Sequence, residues 1–182
     1  MKKKEEISTE VQASREVASP GRVICFKKLM PNAVIPSYAH DGDVGMDLTA
    51  VSVEYNVEKD MYIYHTGLAC ESEYGYGIFL FPRSSNCKTD AYLTNHVGVV
   101  DSYLYRGEIQ LRYKNRDRYR KSFKEWITGK VDVDRALKFA PYNAGDRVGQ
   151  MVVLPYPKIT IQEVDYLSDT ERGTGGFGST GK

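Results

Sequence analysis

Short runs in which apolar and polar residues alternate, separated by glycine and proline, recur along most of this 182-residue chain. Alternation with a period of two residues is typical of a β-strand with one buried face. Many short strands, with turn signals every dozen or so residues, indicate an all-β barrel or sandwich. The 14 tyrosines and 16 glycines favour the same class over a helical one, and the length suits a single domain.

The strand-like runs begin near residue 22 and continue almost to the end of the chain. A glycine-containing loop at residues 40–45 leads into one strand. We predict the other strands at residues 22–29, 62–65, 75–81, 97–100, 108–113, 147–155 and 158–164.

Residues 115–140 interrupt the β pattern. Large side chains recur there at the i, i+4, i+7 and i+8 spacing of one helix face: Tyr119, Phe123, Trp126 and Ile127. We predict a short helical insert near residues 117–139, with Asp117 as its cap or an acidic residue of its first turn and Gly129 as its end. The arginines and lysines of this stretch are interpreted as a solvated helix face rather than as a nucleic-acid-binding patch.

The chain divides into three parts. Residues 1–21 mix charged and hydroxyl side chains without an apolar period, which predicts a disordered arm. Residues 22–167 are predicted to form the β domain, including the insert. Residues 168–182 are predicted to form a flexible, glycine-rich C-terminal lid.

Composition argues against several kinds of partner. The formal net charge of +1 gives no strong field for nucleic acid or a membrane surface. No apolar run reaches the ~18 residues of a membrane span, and the charged N-terminus lacks the apolar segment of a signal peptide. The three cysteines form no CxxC pair, so we expect reduced thiols and no zinc site. This predicts a cytoplasmic location, or the cytoplasm or nucleus of a host cell if a virus encodes the chain.

The glycine-rich end of the chain suits an anion. Its glycines let the backbone approach a ligand closely, and Arg172 can bind phosphate oxygens through a bidentate fork. Ser179 and Thr180 add hydroxyl donors, and Phe177 can stack on a ligand ring. A disordered glycine-rich end is the alternative interpretation of this segment alone.

A second group of phosphate-binding side chains follows the predicted strand at residues 75–81. Arg83, Ser84 and Ser85 offer one guanidinium and two hydroxyls, although an ordinary surface turn has the same composition. Asp47 precedes an apolar strand. Gln150 lies inside one, and its buried amide needs a partner, either a phosphate oxygen or a backbone group.

The third group surrounds Asp101, which ends an apolar strand. A carboxylate in this place can orient and deprotonate a water molecule. Tyr105 offers a flat face for a sugar, and Asn95 offers a donor and an acceptor for a base edge. Taken individually, these residues also fit ordinary turn and strand-edge positions.

In order along the chain, the strings GDVGMDLTA, PRSSNCK, GVVDSYLYRGEI, GDRVGQM and RGTGGFGSTG resemble the five motifs of the trimeric dUTPase family. The resemblance implies a dUTPase-type jelly-roll β-barrel and a homotrimer. Each of the three active sites would be assembled from three chains. The implied reaction is hydrolysis of dUTP to dUMP and pyrophosphate, which limits uracil in DNA and supplies dUMP.

The resemblance also implies roles for individual residues. Asp101 would activate the water that attacks the α-phosphorus. Mg²⁺ would be held by the substrate phosphates without a direct protein ligand, and Asp47 would act in the outer shell or brace the site. The residues expected to contact substrate are Arg83, Ser84, Ser85, Asn95, Val99, Val100, Tyr105, Gln110, Gln150, Arg172, Phe177, Gly178, Ser179 and Thr180.

Within that set, the phosphates would be held by Arg83, Ser84, Ser85 and Gln150. Asn95 and backbone groups near Val99, Val100 and Gln110 would read uracil. Tyr105 would pack under the deoxyribose and exclude a 2′-hydroxyl. Arg172 and residues 177–180 would close over the substrate, with the Phe177 ring covering the base.

The sequence departs from the family pattern at one place that concerns the site. Asp101 and Tyr105 are four steps apart, where the family usually has three. Either a β-bulge absorbs the extra residue, or Tyr103 is displaced into another role. Two other functions remain compatible with the fold: a dCTP deaminase-like enzyme, which should lack the glycine-rich lid, and a non-catalytic regulatory protein of the same fold.

Overall fold

The computed structural model describes residues 24–115 and 122–175, and within them the chain is built mainly of short antiparallel strands. The strands are β1 (Ile24–Lys28), β2 (Met46–Thr49), β3 (Ser52–Asn56), β4 (Met61–His65), β5 (Leu68–Ser72), β6 (Tyr76–Phe81), β7 (Ala91–Leu93), β8 (Gly98–Val100), β9 (Gln110–Asn115) and β10 (Arg147–Pro155). The helices are a 3-10 helix (Ser84–Lys88), α1 (Phe123–Thr128) and α2 (Val133–Leu137). The prediction of an all-β domain with a short helical insert is confirmed.

The strands form two four-stranded sheets and one two-stranded sheet. The first sheet has the order β2-β10-β6-β8, the second has the order β3-β4-β9-β7, and β1 pairs with β5. Buried side chains from both larger sheets belong to one hydrophobic cluster, so the sheets pack as a sandwich around a single core. The alternating burial of β6 and β9 follows from this arrangement, because successive side chains point to opposite faces.

Three buried tyrosines connect the second sheet to the loop before β10. The rings of Tyr64, Tyr113 and Tyr142 meet edge to face, with centroids 5.5–5.8 Å apart. The Tyr64 hydroxyl donates to the Tyr142 carbonyl at 3.1 Å and accepts from the Tyr142 N–H at 3.0 Å. The Tyr113 hydroxyl donates to the Val148 carbonyl at 2.7 Å. Burial raises the pKa of each of these phenols, so all three stay protonated as donors.

The insert is a pair of short helices attached through α2. Ser122 caps α1 and forms a capping box with Glu125, and Gly129 ends the helix with a left-handed φ of 68°. The buried Glu125 carboxylate also accepts from the Asp132 N–H at 2.7 Å and from Arg135 Nη1 at 2.8 Å. These contacts join the two helices. The Tyr62 hydroxyl donates to the Ala136 carbonyl at 3.1 Å and attaches the insert to β4.

The predicted helix end at Gly129 is confirmed. The proposed cap Asp117 and Tyr119 lie outside the described residues, and Ser122 caps α1. The expected apolar face is formed but does not pack on the core, because Phe123, Trp126 and Ile127 are 76%, 74% and 62% exposed. The Phe123 and Trp126 rings instead stack on each other at 6.4 Å.

The predicted strand at residues 158–164 is wrong. The residues following β10 form no strand up to residue 175, and Ile159 and Ile161 are 74% and 92% exposed. The sequence alternates, but none of the described strands pairs with this segment. Strands β3, β5 and β7 were not predicted. The predicted arm at residues 1–21 and residues 176–182 of the predicted lid lie outside the described ranges. Across the described ranges, none of the helices is long and apolar enough to cross a membrane.

The tyrosine contacts lead to a test of the core. Replacing Tyr64 by phenylalanine removes one donor and one acceptor and leaves the N–H and C=O of Tyr142 unpaired in a buried place. We expect the free energy of unfolding to fall by about 1–3 kcal/mol in urea denaturation. Tyr38, which is half-exposed, serves as the control, and Tyr38→Phe should change it by less than about 0.5 kcal/mol. Equal losses in the two variants would contradict this account.

Candidate active site

A cleft of about 400 Å³ lies beside β8 and the start of β9. The predicted residues that line it are Asn95, Val99, Val100, Asp101, Tyr105 and Gln110. The fold therefore brings the predicted catalytic acid together with every residue predicted to contact base or sugar within the described ranges. Thr94, Glu108 and Arg112 also line the cleft and were not predicted.

The extra residue after Asp101 is absorbed by a helical turn. The Asp101 carbonyl accepts from the N–H of Leu104 at 2.8 Å and from the N–H of Tyr105 at 2.7 Å. The Tyr103 ring meets the Tyr74 ring edge to face, with centroids 5.4 Å apart, and does not line the cleft. Of the two alternatives, the displacement of Tyr103 is the one observed. Tyr105 keeps its place at the cleft.

Tyr105 folds back over the turn that follows it. Its hydroxyl donates to the Glu108 carbonyl at 3.2 Å, and its ring occupies the space where a side chain at Gly107 would lie. A Cβ atom at Gly107 would collide with this ring, so a side chain there would displace the ring. The half-exposed ring therefore forms a flat platform at the edge of the cleft.

The Glu108 carboxylate joins the cleft to the turn between β4 and β5. One oxygen accepts from the Gly67 N–H at 2.8 Å, and the other lies 2.8 Å from His65 Nδ1 and accepts from Gln110 Nε2 at 3.0 Å. Partial burial alone would raise the pKa of Glu108. The hydrogen bonds from Gln110, His65 and the Gly67 N–H outweigh it and hold this pKa below its usual range.

A second cluster forms where β6 ends and the 3-10 helix begins. Arg83 Nε donates to Asp47 at 2.7 Å, and Arg83 Nη1 donates to the Ser85 hydroxyl at 3.2 Å. The other Asp47 oxygen accepts from Arg147 Nη1 at 2.9 Å. Both carboxylate oxygens of Asp47 are thus engaged by guanidinium groups, so Asp47 braces Arg83. The sequence analysis did not predict a role for Arg147. Its only signal in the sequence is the GDR triplet that begins the motif GDRVGQM.

Gln150 belongs to the same cluster. It lies directly across from Phe81 on β6 and from Asp47 on β2, and its side-chain amide donates to the Pro82 carbonyl at 3.2 Å. The partner of this amide is therefore a backbone group, one of the two alternatives. A Cβ atom at Gly45 would lie 2.8 Å from the Gln150 amide oxygen, so a side chain there would push Gln150 out of place.

The two clusters are set apart along strand β6. Phe81 precedes the loop that carries Arg83, whereas Asp101 follows Val100, which pairs with Ile78. Phe81 lies three positions beyond Ile78 along the strand, which corresponds to about 10 Å. Arg83 and Asp101 consequently lie toward opposite ends of β6.

The remaining predictions concern the tail and the metal. Arg172 is exposed, and its Nε donates to the Gly175 carbonyl at 2.7 Å. Phe177, Gly178, Ser179 and Thr180 lie outside the described residues, and their roles stay predictions. Where the structure describes the chain, it contains no group of three or more His, Cys, Asp or Glu side chains that could hold a metal ion.

Comparison with known proteins reveals the family. The deoxyuridine 5′-triphosphate nucleotidohydrolase of Picosynechococcus sp. is 37% identical over 155 residues, which cover 85% of this chain and 95% of that relative. The enzyme of the same name from Alkaliphilus metalliredigens is 36% identical and covers 87% and 96%, respectively. The chain belongs to the dUTPase family. A family model described as dUTPase also matches residues 123–181. The resemblance in the five motifs is thereby confirmed.

Solved dUTPase structures share the fold. A glycine-to-serine variant of the Staphylococcus bacteriophage 80alpha dUTPase, solved with dUpNHpp, superposes with a TM-score of 0.65 at 21% identity, covering 88% of this chain and 99% of that one. A dUTPase variant from phage phi11 of S. aureus, described in terms of the coordination of a structural Mg(II) ion, gives 0.57 at 20% identity, covering 79% and 97%. The jelly-roll-like prediction is confirmed at the level of the fold.

The lowered pKa of Glu108 leads to a test of how this carboxylate stabilises the cleft. Because the folded-state pKa lies below the ordinary value of 4.5, the charged carboxylate stabilises the fold above that value. This stabilisation is lost as the pH falls through the lower folded-state pKa. We expect Glu108→Gln to unfold more readily than the unmodified chain at pH 7, and the difference to shrink below about pH 4. Urea denaturation across this range measures it, and a difference that grows in acid would refute the assignment.

Proposed function

We propose that this chain hydrolyses dUTP to dUMP and pyrophosphate, with Asp101 activating the water that attacks the α-phosphorus. The observation that carries the proposal is the position of Asp101, exposed at the edge of a cleft lined by Asn95, Tyr105 and the ends of β8 and β9. A carboxylate placed beside a nucleoside cleft can take the proton of a water that attacks the adjoining phosphate.

Base selection is expected to rest on the backbone of β8 and β9. Because β8 is the edge strand of its sheet, alternate backbone N–H and C=O groups point away from β6 and are available to a ligand. Uracil presents one donor between two acceptors, and cytosine presents a different pattern. A wrong base would leave buried polar groups unpaired, a penalty that can reach ~10⁴ in specificity. Asn95 adds a side-chain amide to the same edge.

Phosphate binding is assigned to the cluster around Arg83. Its guanidinium is fixed by Asp47, and Ser84, Ser85 and Gln150 stand beside it. A fixed cation stabilises the charge that develops on the leaving pyrophosphate without reorganising during the reaction. Magnesium bound through the substrate phosphates would neutralise part of the same charge. Because both Asp47 oxygens are engaged by arginines, we assign Asp47 to bracing the site and not to direct metal binding.

We further propose a homotrimer in which each active site is shared. The positions of Arg83 and Asp101 toward opposite ends of β6 support this, since a site shared between chains could bring the two residues to one nucleotide. The tail supports it as well, because Ile161 and Leu167 are 92% and 87% exposed in the described part of the chain and offer apolar surface to another copy. One chain would supply the Arg83 cluster and a second the Asp101 cleft. A third would supply the lid with Arg172, Phe177, Gly178, Ser179 and Thr180.

Replacing Asp101 by asparagine tests the proposed catalytic acid. The variant keeps the size of the side chain but cannot accept the proton of the attacking water. We expect kcat for dUTP to fall by about 10²–10⁴-fold with little change in KM, measured as pyrophosphate release with Mg²⁺. Assays with dCTP, dTTP and UTP establish selectivity. Comparable turnover of dCTP and dUTP would overturn the proposed specificity.

Mixing two inactive variants tests the shared site. Asp101→Asn and Arg83→Ala are each expected to be nearly inactive alone. In mixed trimers, some sites combine an intact Asp101 from one chain with an intact Arg83 from another. For an equal mixture refolded together, we expect about a quarter of the unmodified activity to return, because random assembly completes one site in four. A mixture that stays inactive would show that each site lies within one chain.

Substituting Gly107 tests the sugar platform. An alanine there should displace the Tyr105 ring, which is the movable end of a side chain, so the fold should be little affected. We expect KM for dUTP to rise and the preference for dUTP over UTP in kcat/KM to fall by about tenfold. The thermal midpoint, measured alongside, serves as the control. An unchanged preference for dUTP would show that the platform does not sense the 2′-position.

A further inference from the structure

We infer that Glu108 is a positioning residue that holds the sugar platform and the Gln110 edge of the cleft in register, and thereby sets the discrimination between deoxyribose and ribose. The inference rests on the proposed function of the cleft. Glu108 lies within the third motif but received no predicted role; its side chain is about one-fifth exposed and lies at the cleft wall.

Two cleft residues are attached to Glu108 through different parts of it. The Tyr105 hydroxyl donates to its backbone carbonyl at 3.2 Å, and the Gln110 side-chain amide donates to its carboxylate at 3.0 Å. A shift of Glu108 would therefore move both groups together. The cleft has one common support for its platform and for the neighbouring start of β9.

That support is itself anchored in a buried turn. The Gly67 N–H donates to the Glu108 carboxylate at 2.8 Å, and the buried Thr66 hydroxyl donates to the Ile109 carbonyl at 2.7 Å. The Ile109 N–H completes the anchor by donating to the Leu68 carbonyl at 2.8 Å. Glu108 thus transmits the fixed position of the β4–β5 turn to the surface of the cleft.

Charge on Glu108 orients the amide of Gln110. The amide nitrogen donates to the carboxylate, while the amide oxygen accepts from Arg112 Nη2 at 3.0 Å. A neutral amide at position 108 would present its own NH₂ group or lose the Gly67 contact. In the first case, Gln110 would have to turn and release Arg112; in the second, the anchor to the buried β4–β5 turn would be lost. His65 lies 2.8 Å from the same carboxylate oxygen, with Glu54 3.7 Å from its other ring nitrogen.

The variant Glu108→Gln tests this assignment because it preserves side-chain size and removes only the charge. We expect the ratio of kcat/KM for dUTP to that for UTP to fall by about tenfold, chiefly through a higher KM for dUTP, with kcat for dUTP changed by less than about threefold. A purely structural role would lower kcat/KM for dUTP and for UTP in proportion and leave their ratio unchanged. Glu54→Gln is the matched control, since it alters the other neighbour of His65 outside the cleft and should leave the ratio unchanged.

Combining variants tests whether Glu108 acts through Tyr105. Tyr105→Phe removes the hydroxyl that donates to Glu108 and should lower the same ratio. The double variant should lose no more than the larger single effect, because both changes release one support. Fully multiplied losses, or an unchanged ratio in Glu108→Gln, would overturn the inference while leaving dUTP hydrolysis intact. Absence of dUTP hydrolysis in the unmodified chain would instead refute the proposed function, and the inference with it.

Discussion

Strand β6 fixes the distance between the two halves of the candidate site. It pairs with β10 on one side and with β8 on the other, so its register determines where Gln150 and Val100 lie relative to each other. The residues proposed to bind phosphate gather at its C-terminal end, and Asp101 lies several residues back along it. An extended strand cannot shorten this separation. In the proposed trimer, the arrangement of the copies would determine how the two halves meet.

Each half of the site is held rigid by a different device. Asp47 accepts from two guanidinium groups, so Arg83 is directed by a charge-assisted contact between strands. The cleft is held through the Glu108 carboxylate, which accepts a hydrogen bond from a backbone N–H of a buried turn. Both devices place polar groups before substrate arrives, which is the condition under which fixed dipoles and charges accelerate a reaction most.

The sequence allowed candidate site residues to be named, but it left several strands and contacts of the fold unpredicted. Arg83, Asp101 and Gln150 could be assigned because each stands at a recognisable point of a strand and within a motif. Strand β5 escaped prediction because four of its five residues are buried, so it shows little alternation, and β7 has only three residues. The segment at residues 158–164 failed in the opposite way: it has the pattern of a strand without the partner that pairing requires.

The contacts of Glu108 could not be anticipated, since Gly67 and His65 are more than forty residues away in sequence. The helical turn after Asp101 could not be predicted either, because only the backbone hydrogen bonds of the folded chain distinguish it from a bulge. Motif spacing indicated that an extra residue was present and left its geometry open.

The exposed aromatic pair on α1 has a practical consequence for spectroscopy. Trp126 is the single tryptophan of the chain, and it stacks on Phe123 at the surface of the insert. Its fluorescence emission reports on the solvent around that helix and is nearly insensitive to the packing of the β-sandwich interior. Unfolding of the interior instead changes the near-ultraviolet circular dichroism of the buried tyrosines, because this signal depends on their fixed edge-to-face contacts. The two chromophores thus monitor separate regions of one molecule.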